Sequence, residues 1–216
     1  MSSTKETILL TALRLFAIKG YDAVSVSEIA GALGMTKGAL YKHYKNKRAL
    51  FDSIFDYVCQ LDVARAQQAG VPEKEYSEAP ETFVGITQES LIHYMTAQFR
   101  YWTEDEIACN FRKMLTLEQY KSQEMNNLYQ KVLVRGPLEY IESILSDMLK
   151  NHPNATYSAK ELAIAFHAPF YLLLSLMDAT SQQSERLRLT ESYINHLNTF
   201  FDQYFPNTKH HERTPS

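Results

Sequence analysis

The chain has few of the residues on which catalytic, metal-binding and disulfide-stabilised proteins depend. Its two cysteines, Cys59 and Cys109, lie on separate predicted helices without metal-ligand spacing around them. A disulfide framework is therefore not expected, and a reducing, cytoplasmic compartment is the simplest interpretation. No HExxH, paired-cysteine, GxSxG, P-loop or GxGxxG pattern occurs, so the sequence gives no support for an enzyme, a metal site or a cofactor.

Long apolar runs and strand signals are also scarce. The longest apolar candidate, residues 170–177, is too short to span a bilayer, and residues 1–10 lack the apolar core of a signal peptide. Apolar residues recur at helical spacing along most of the chain, whereas residues 67–82 are rich in proline and glutamate and are interpreted as a linker. The sequence predicts an all-α protein without a membrane partner.

Charge is distributed unevenly along the chain. The formal net charge of −3 does not by itself favour nucleic acid as a partner. Residues 1–48, however, carry eight Lys or Arg and three Asp or Glu, whereas the remaining residues carry 14 and 22. The N-terminal end is therefore the part suited to meet phosphates.

Residues 25–46 have the pattern of two short helices joined by a tight turn. Ser25 and Glu28 have the spacing of a capping box that opens the first helix. Gly34 stands where this helix ends, at a position that often needs a left-handed conformation. Thr36 then caps the second helix.

The second of these helices presents a short, cationic and aromatic surface. Its Leu40 and Tyr44 are expected to point inward. The residues left to face outward are Lys37, Gly38, Ala39, Tyr41, Lys42 and His43. An ordinary solvated face is the alternative for such lysines, but the helix–turn–helix spacing and the two caps favour a recognition helix for the DNA major groove.

Two stretches extend this pattern, ALRLFAIKGYDAVSVSEIAGALG and MTKGALYKHYKNKRALFDSI. Together they resemble the DNA-binding domain of the tetracycline-repressor (TetR) family of bacterial transcription regulators. The resemblance covers residues 8–55 and names no ligand. It implies an N-terminal three-helix DNA-binding domain at 4–64, with the helix–turn–helix at about 25–46, and a helical effector-binding and dimerisation domain at 65–205. The residues at 206–216 are themselves expected to form a disordered tail.

The resemblance also implies which residues meet DNA. The implied positions are Ser25, Ser27, Thr36, Lys37, Gly38, Ala39, Tyr41, Lys42, His43 and Lys47. Tyr41 and Lys47 are expected mainly on phosphates, as are the two serines, while Lys37 and Lys42 are the candidates for reading guanine edges. Half-buried packing is the alternative for Tyr41, and simple solvent exposure is the alternative for His43.

The C-terminal part is rich in aromatic residues and methionine. Such stripes at helical spacing are most often plain core, but members of the resembled family commonly bind small effectors between these helices. The candidates for an effector pocket are Tyr94, Phe99, Trp102, Phe111, Met114, Tyr129, Phe166, His167 and Phe170. A pocket lined in this way suits an apolar or aromatic ligand with a few polar groups, although His167 has the alternative of a satisfied core histidine.

Local signals predict several further features of the C-terminal part. They are a helix from Phe83 to Trp102, a capping box at Thr103 and Glu106, a bend at Gly136-Pro137, a capping box at Ser158 and Glu161, and a kink at Pro169. Residues 159–178 and 183–205 carry enough apolar surface to form half of a four-helix dimer interface, with Leu197 and Phe201 expected at the seam.

These expectations describe a ligand-responsive transcription regulator, expected to repress, that binds a palindromic DNA operator as a homodimer. A helical small-molecule sensor without DNA regulation is the alternative, and the Lys37–Lys47 set argues against it. An enzyme with an incidental helix–turn–helix is a second rival, and the missing catalytic constellation argues against that one.

Overall fold

The computed structural model describes residues 3–69, 86–152 and 156–206, which form α-helices without any strand, as predicted. The helices are α1 Thr4–Lys19, α2 Val26–Ala32, α3 Lys37–Tyr41, α4 Lys47–Ala69, α5 Gln88–Glu104, α6 Glu106–Glu118, α7 Gln123–Tyr129, α8 Arg135–Leu149, α9 Ala159–Ala179 and α10 Gln183–Tyr204. A π-helical turn, Gln130–Val134, joins α7 to α8. Most of the predicted linker, the start of the helix predicted from Phe83, and all but the first residue of the predicted tail lie outside the described residues.

The chain packs as two compact units. Unit 1 consists of Met1–Arg65 and Glu104–Gly136, and unit 2 consists of Ala66–Thr103 and Pro137–Ser216. Unit 1 thus joins α6 and α7 to the N-terminal helices, whereas the sequence-based division separated them after residue 64. The reason is that α6 packs along α1, so that the two helices share one core. The functional boundary at residue 64 stays a prediction.

Helix α1 supplies much of the core of unit 1. Its apolar residues recur at helical spacing and are buried: Ile8, Leu9, Ala12, Leu13, Phe16 and Ala17. Tyr21, just after the helix, packs its ring against Phe16 and Phe51 at centroid distances of 5.3 and 5.2 Å. Phe55 of α4 meets Phe111 of α6 at 6.1 Å, which shows how α6 enters this core.

Unit 2 is centred on the pairing of α9 with α10. By length and composition alone α9 is apolar enough to cross a membrane, with a mean hydropathy of 1.5 over its most apolar window. The prediction that no segment is long enough to span a membrane was based on unbroken apolar runs, whereas α9 also contains polar residues. In the structure α9 is a core helix, because its residues at helical spacing, among them Leu162, Phe166 and Phe170, are buried inside unit 2.

Two predicted helix starts behave differently. The capping box of α9 forms in full, since Glu161 N–H donates to Ser158 Oγ and Ser158 N–H donates to Glu161 Oε2. The box predicted at Thr103 is wrong: Asp105 caps α6 by accepting from Ala108 N–H at 2.9 Å. Thr103 instead ends α5, where its hydroxyl donates to the Phe99 carbonyl at 2.8 Å.

The irregularity predicted at Gly136-Pro137 occurs one turn earlier. Residues 130–134 form the π-helical turn, and α8 then runs through both residues. Pro137 lies just after the π-helical turn within one continuous helical stretch, and its missing N–H and ring disfavour a regular α-helical turn immediately before it. Gly136 is required here, because a Cβ atom at this position would overlap the Lys131 carbonyl oxygen.

Candidate nucleic-acid interface

The first helix of the predicted pair, α2, has well-defined ends. Ser25 caps it by accepting from Glu28 N–H at 3.1 Å. At the other end Gly34 adopts φ +64°, and Met35 N–H and Gly34 N–H donate to the carbonyls of Ala30 and Gly31, each at 3.0 Å. This double hydrogen bond is the Schellman ending that a glycine at C′ makes possible. The tight turn predicted from sequence is confirmed.

The second helix, α3, is a short helix held from one side. Thr36 Oγ1 accepts from Ala39 N–H at 3.1 Å and so caps it. Leu40 and Tyr44 are buried, with exposures of 1% and 4%, and the Tyr44 hydroxyl donates to the Lys5 carbonyl at 3.0 Å. The inward direction predicted for both is confirmed, and it fixes which side of α3 faces solvent.

Most of the predicted DNA-contact residues of α2, the turn and α3 are exposed. Those that are exposed are Ser25, Ser27, Thr36, Lys37, Gly38, Tyr41, Lys42 and His43. Ala39 is half-buried beside them. Tyr41 is 42% exposed, and the Lys37 ammonium lies 5.8 Å from the centre of its ring. The structure therefore leaves these side chains accessible, while a shared DNA-binding surface and its contacts with DNA stay predictions.

The lysines of this surface differ from other cations of unit 1 in their partners. In the described part of the chain, no carboxylate lies within ion-pair distance of Lys37, Lys42 or Lys45. Elsewhere in unit 1 the ion pairs include Arg14–Glu106, Lys19–Glu28 and Arg48 with both Asp52 and Glu124. Cations without a carboxylate partner can bind a polyanion without first breaking an ion pair.

Gly38 has no packing reason to be glycine. A Cβ atom added at this position would meet nothing within 4 Å, and its φ is not in the left-handed region. A glycine inside a helix generally costs about 0.5–1 kcal/mol relative to alanine. The missing side chain leaves room at this position, and close approach by DNA stays a prediction.

Lys47 occupies a different environment from the one its expected role suggests. It begins α4, but its ammonium donates to the carbonyls of Tyr21 at 2.8 Å, Val24 at 3.0 Å and Asp22 at 3.4 Å. It also lies 4.2 Å from the centre of the Tyr21 ring. All three ammonium protons are thus used within the protein, where they fix the loop that leads into α2. A phosphate contact by Lys47 stays a prediction, and it requires these bonds to rearrange.

The same loop is held from a second side by Glu118, at the end of α6. Its carboxylate is buried, with 3% of the side chain exposed, and it accepts from Tyr21 N–H at 2.8 Å and from Lys121 Nζ at 2.9 Å. Gly20 adopts φ +80° beside it, and a Cβ atom there would come within 3.1 Å of Glu118 Oε1. Lys47 and Glu118 together position the start of the helix–turn–helix.

Glu118 and Tyr193 are candidate functional residues that were not predicted from the sequence. Glu118 follows Phe111, Met114 and Leu115 at helical spacing, so a carboxylate at a core position of an amphipathic helix was the available signal. Tyr193 gave no such signal, because a tyrosine among core aromatics is unremarkable in a sequence.

The nine predicted effector-pocket residues divide between the two units. Phe111, Met114 and Tyr129 belong to unit 1, whereas the six in unit 2 are Tyr94, Phe99, Trp102, Phe166, His167 and Phe170. Two open surface pockets, of 190 and 410 Å³, are lined by other residues. An effector pocket formed by the nine residues therefore stays a prediction.

The geometry of residues 25–46 defines a helix–turn–helix protein of the kind found among transcription regulators. A family model agrees: residues 8–54 match that of bacterial regulatory proteins of the tetR family. Residues 8–54 thus match the DNA-binding domain of the TetR family.

Comparison with individual proteins is consistent with this assignment. The chain is similar to YerO of Bacillus subtilis (strain 168), an uncharacterized HTH-type transcriptional regulator, with 31% identity over 156 residues that cover 68% of this chain and 52% of YerO. The chain thus spans about half the length of this curated relative.

Solved structures share the fold. SmeT, the repressor of the Stenotrophomonas maltophilia multidrug efflux pump SmeDEF, superposes with a TM-score of 0.58 at 21% identity, covering 94% of this chain and 91% of SmeT. A SmeT–triclosan complex gives a TM-score of 0.66 at 19% identity, with full coverage of both chains. At these identities the likeness concerns the fold.

Proposed function

We propose that this protein is a ligand-responsive transcription regulator that binds operator DNA through α3 and represses. The observation that carries the proposal is the surface of α3 itself. It combines exposed lysines that have no carboxylate partner in the described part of the chain, a glycine at which a side chain would meet no neighbour, and a helix start capped by Thr36. SmeT, a repressor that shares the fold, supports repression and not activation.

In this proposal each residue of the surface has a role that its side chain permits. Lys37 and Lys42 donate to guanine O6 and N7, and Ala39 contacts a thymine methyl. Tyr41 and the hydroxyls of Ser25 and Ser27 bind phosphates, which fix orientation without reading sequence. Thr36 and His43 lie at the two ends of α3, next to the same groove.

A selection from random duplexes, followed by gel-shift titration at low salt, tests DNA binding by the full chain. Lys42→Ala should cost about 1–3 kcal/mol per half-site and relax preference at one operator position. Tyr41→Ala should weaken all sequences alike. Lys113→Ala removes an exposed lysine of α6 and serves as the charge-matched control, with affinity unchanged. A wild-type protein that selects no sequence would overturn the proposal and favour a sensor without DNA regulation.

Lys47 can be tested separately through the salt dependence of binding. If its ammonium leaves the loop carbonyls and neutralises one phosphate, Lys47→Ala should lower the salt slope by roughly 0.9 per half-site. An unchanged slope with lower affinity would assign Lys47 to positioning the loop instead.

The proposal includes a homodimer on a palindromic operator. Exposed apolar residues on unit 2 support a second copy as the occupant of its outer face. On α9 they are Ile164, Leu172 and Leu176, at 49%, 63% and 44% exposure, and on α10 Leu187 is 55% exposed. Leucines exposed to this degree on two paired helices are suited to a four-helix interface. The two recognition helices would then meet half-sites about 34–36 Å apart.

The sequence-based prediction that Leu197 and Phe201 form the dimer seam is wrong. Leu197 and Phe201 are 0% and 2% exposed within a single chain, so they belong to the core of unit 2. Helix α10 carries apolar residues on more than one side, and the sequence pattern alone did not distinguish the inner side from the outer one.

A small effector completes the proposal. The SmeT–triclosan complex supports binding of a small compound by this kind of fold. Linkage requires that effector and operator weaken each other by one common factor, typically about 5–150-fold. Calorimetry of an effector with and without operator tests this, and equal affinities in the two titrations would exclude that compound as the signal. We place the protein in the cytoplasm, where its DNA is.

A further inference from the structure

The described interior of unit 2 is polar at a few points and holds no charged side chain. Within its described residues, the buried polar side chains are Gln98, Thr103, His167 and Thr190, and no Asp, Glu, Lys or Arg is among them. Thr103 and Thr190 donate to backbone carbonyls one turn earlier, at 2.8 and 3.0 Å, and Gln98 donates to the Tyr94 hydroxyl at 2.8 Å. These three side chains have partners within the fold.

His167 and Tyr193 do not. His167 is 5% exposed and Tyr193 is 0% exposed, yet neither ring nitrogen of His167 nor the Tyr193 hydroxyl has a hydrogen-bond partner in the part of the chain that the structure describes. Buried polar groups are nearly always paired, and the exceptions call for a physical reason. Three unpaired atoms in one unit are a costly arrangement for a fold that gains nothing from them.

Both groups belong to one aromatic cluster formed by α5, α9 and α10. The Phe170 ring lies 5.1 Å from His167, nearly parallel to it, and 5.6 Å from Tyr193. Phe99 stacks on Tyr193 at 4.6 Å and meets Phe170 edge-on at 5.6 Å. The rings of His167 and Tyr193 therefore both pack against Phe170.

Burial decides the protonation of the two groups. It lowers the pKa of His167 to about 4 and raises the pKa of Tyr193, so both are neutral at pH 7. A neutral imidazole offers one donor and one acceptor, and a tyrosine hydroxyl offers the same. A charged ligand would find no counter-charge among these groups and would lose its hydration without compensation.

We propose that this cluster binds a neutral aromatic compound whose hydroxyl group exchanges hydrogen bonds with His167 and Tyr193. The ring of the compound stacks on Phe99 and displaces Phe170, whose ring now packs against the rings of both His167 and Tyr193. The inference rests on the proposed function, because it assigns a chemical class to the effector of that function. The expected compound has a flat apolar ring system and one group that both donates and accepts a hydrogen bond.

Calorimetry with three probes of equal ring size tests the class. 2-Naphthol is neutral and carries a hydroxyl, naphthalene lacks the hydroxyl, and 2-naphthoate is anionic. We expect 2-naphthol to bind once per chain, roughly 10-fold or more tighter than naphthalene, since two hydrogen bonds are at stake. Binding of 2-naphthoate as tight as that of 2-naphthol, or equal binding of naphthalene, would overturn the proposal.

Two variants locate the site. His167→Phe and Tyr193→Phe keep aromatic rings in the cluster, and each should weaken 2-naphthol by roughly 3- to 10-fold while leaving naphthalene unchanged. His196→Phe is the matched control, because it removes a half-buried imidazole of the same unit that is already bonded to the Phe166 carbonyl at 3.0 Å. Equal 2-naphthol affinity in all four proteins would overturn the assignment of these residues.

Thermal unfolding without any probe supplies a second readout. If the Tyr193 hydroxyl is unpaired, Tyr193→Phe should leave the melting temperature unchanged or raise it. Tyr44→Phe, which removes a buried hydroxyl bonded to the Lys5 carbonyl, should lower it. A melting temperature that falls in both variants would mean that Tyr193 already has a partner, and would overturn the proposal.

Operator selection on the same preparations tests the proposed function separately from the chemical class of the effector. A protein that selects an operator but binds no probe contradicts only the chemical class inferred here. A protein that selects no DNA contradicts the proposed function, whatever the probes show.

Discussion

The two units treat polar groups in opposite ways. In unit 1 the buried Glu118 carboxylate accepts two hydrogen bonds at Oε1, and Arg14, Lys19 and Arg48 each have a carboxylate partner. In unit 2 the buried side chains are uncharged, and two of them, His167 and Tyr193, have no partner in the described part of the chain. Satisfied charges hold one geometry, whereas unpaired neutral groups can gain from a compound that enters.

The comparison suggests a division of labour within the proposed regulator. Reading a base edge requires a helix held in place, and the Glu118 and Lys47 hydrogen bonds hold the loop that leads into α2. Recognising a variable small compound requires an interior that can repack around it. Aromatic rings without buried charge meet that need, since no ion pair has to be broken when they move.

The largest effect is expected on the outer surface of unit 2. Leu172→Glu with Leu176→Glu should give folded monomers that bind operator poorly, because both leucines are exposed and charge would block the second copy. Light scattering and circular dichroism measure the two properties. Leu197→Glu is the contrast, since it should unfold the chain instead of only dissociating it. A wild-type protein that is monomeric at micromolar concentration would contradict the dimer.

The next prediction concerns the satisfied charge of unit 1. Glu118→Ala leaves Tyr21 N–H and Lys121 without their shared partner, and it should lower the free energy of unfolding by about 2–3 kcal/mol. It should also weaken operator binding through the loop before α2. Urea unfolding and gel-shift titration measure these effects. Glu124→Ala, which removes a solvent-exposed partner of Arg48, is the control with little change in either.

The pH dependence of stability tests the unpaired histidine of unit 2. Its pKa falls from 6.5 in the unfolded chain to about 4 in the fold, so between these values the unfolded chain binds the extra proton. Stability contributed by neutral His167 is therefore present above pH 6.5 and lost as pH falls toward 4. Between pH 7.5 and 5 the loss should be about 2 kcal/mol in the wild type.

His167→Phe should remove that part of the loss, and urea unfolding at the two pH values measures it. His196→Phe should retain the wild-type loss. The same pH dependence in both variants would show that His167 is not the group responsible.

The smallest effect is expected at Gly38. Gly38→Ala should raise the free energy of unfolding by up to about 1 kcal/mol, because alanine favours the helix and meets no neighbour. It should nevertheless weaken operator binding if α3 approaches DNA closely. Gly31→Ala, another helical glycine with nothing within 4 Å, is the control for stability without the change in binding. Unchanged operator affinity of Gly38→Ala would remove the argument for close approach.

Local signals in the sequence predicted the helix–turn–helix accurately. The caps at Ser25, Thr36 and Ser158 and the left-handed Gly34 all formed, because each depends on residues within one or two turns of chain. The cap predicted at Thr103 did not form, because Asp105, two residues later, caps α6 instead. The candidate DNA surface followed from the same local pattern, once Leu40 and Tyr44 fixed the inner side of α3.

The sequence by itself thus determined the helices, most of their ends and the cationic outer face of α3. Only the tertiary structure decided that Lys47 bonds loop carbonyls, that Glu118 reaches Tyr21 across about a hundred residues of chain, and that Leu197 points inward. It also decided that His167 and Tyr193 are buried without partners. Caps and periodicity are set by neighbours in the chain, whereas burial and long-range pairing depend on which helix faces come together.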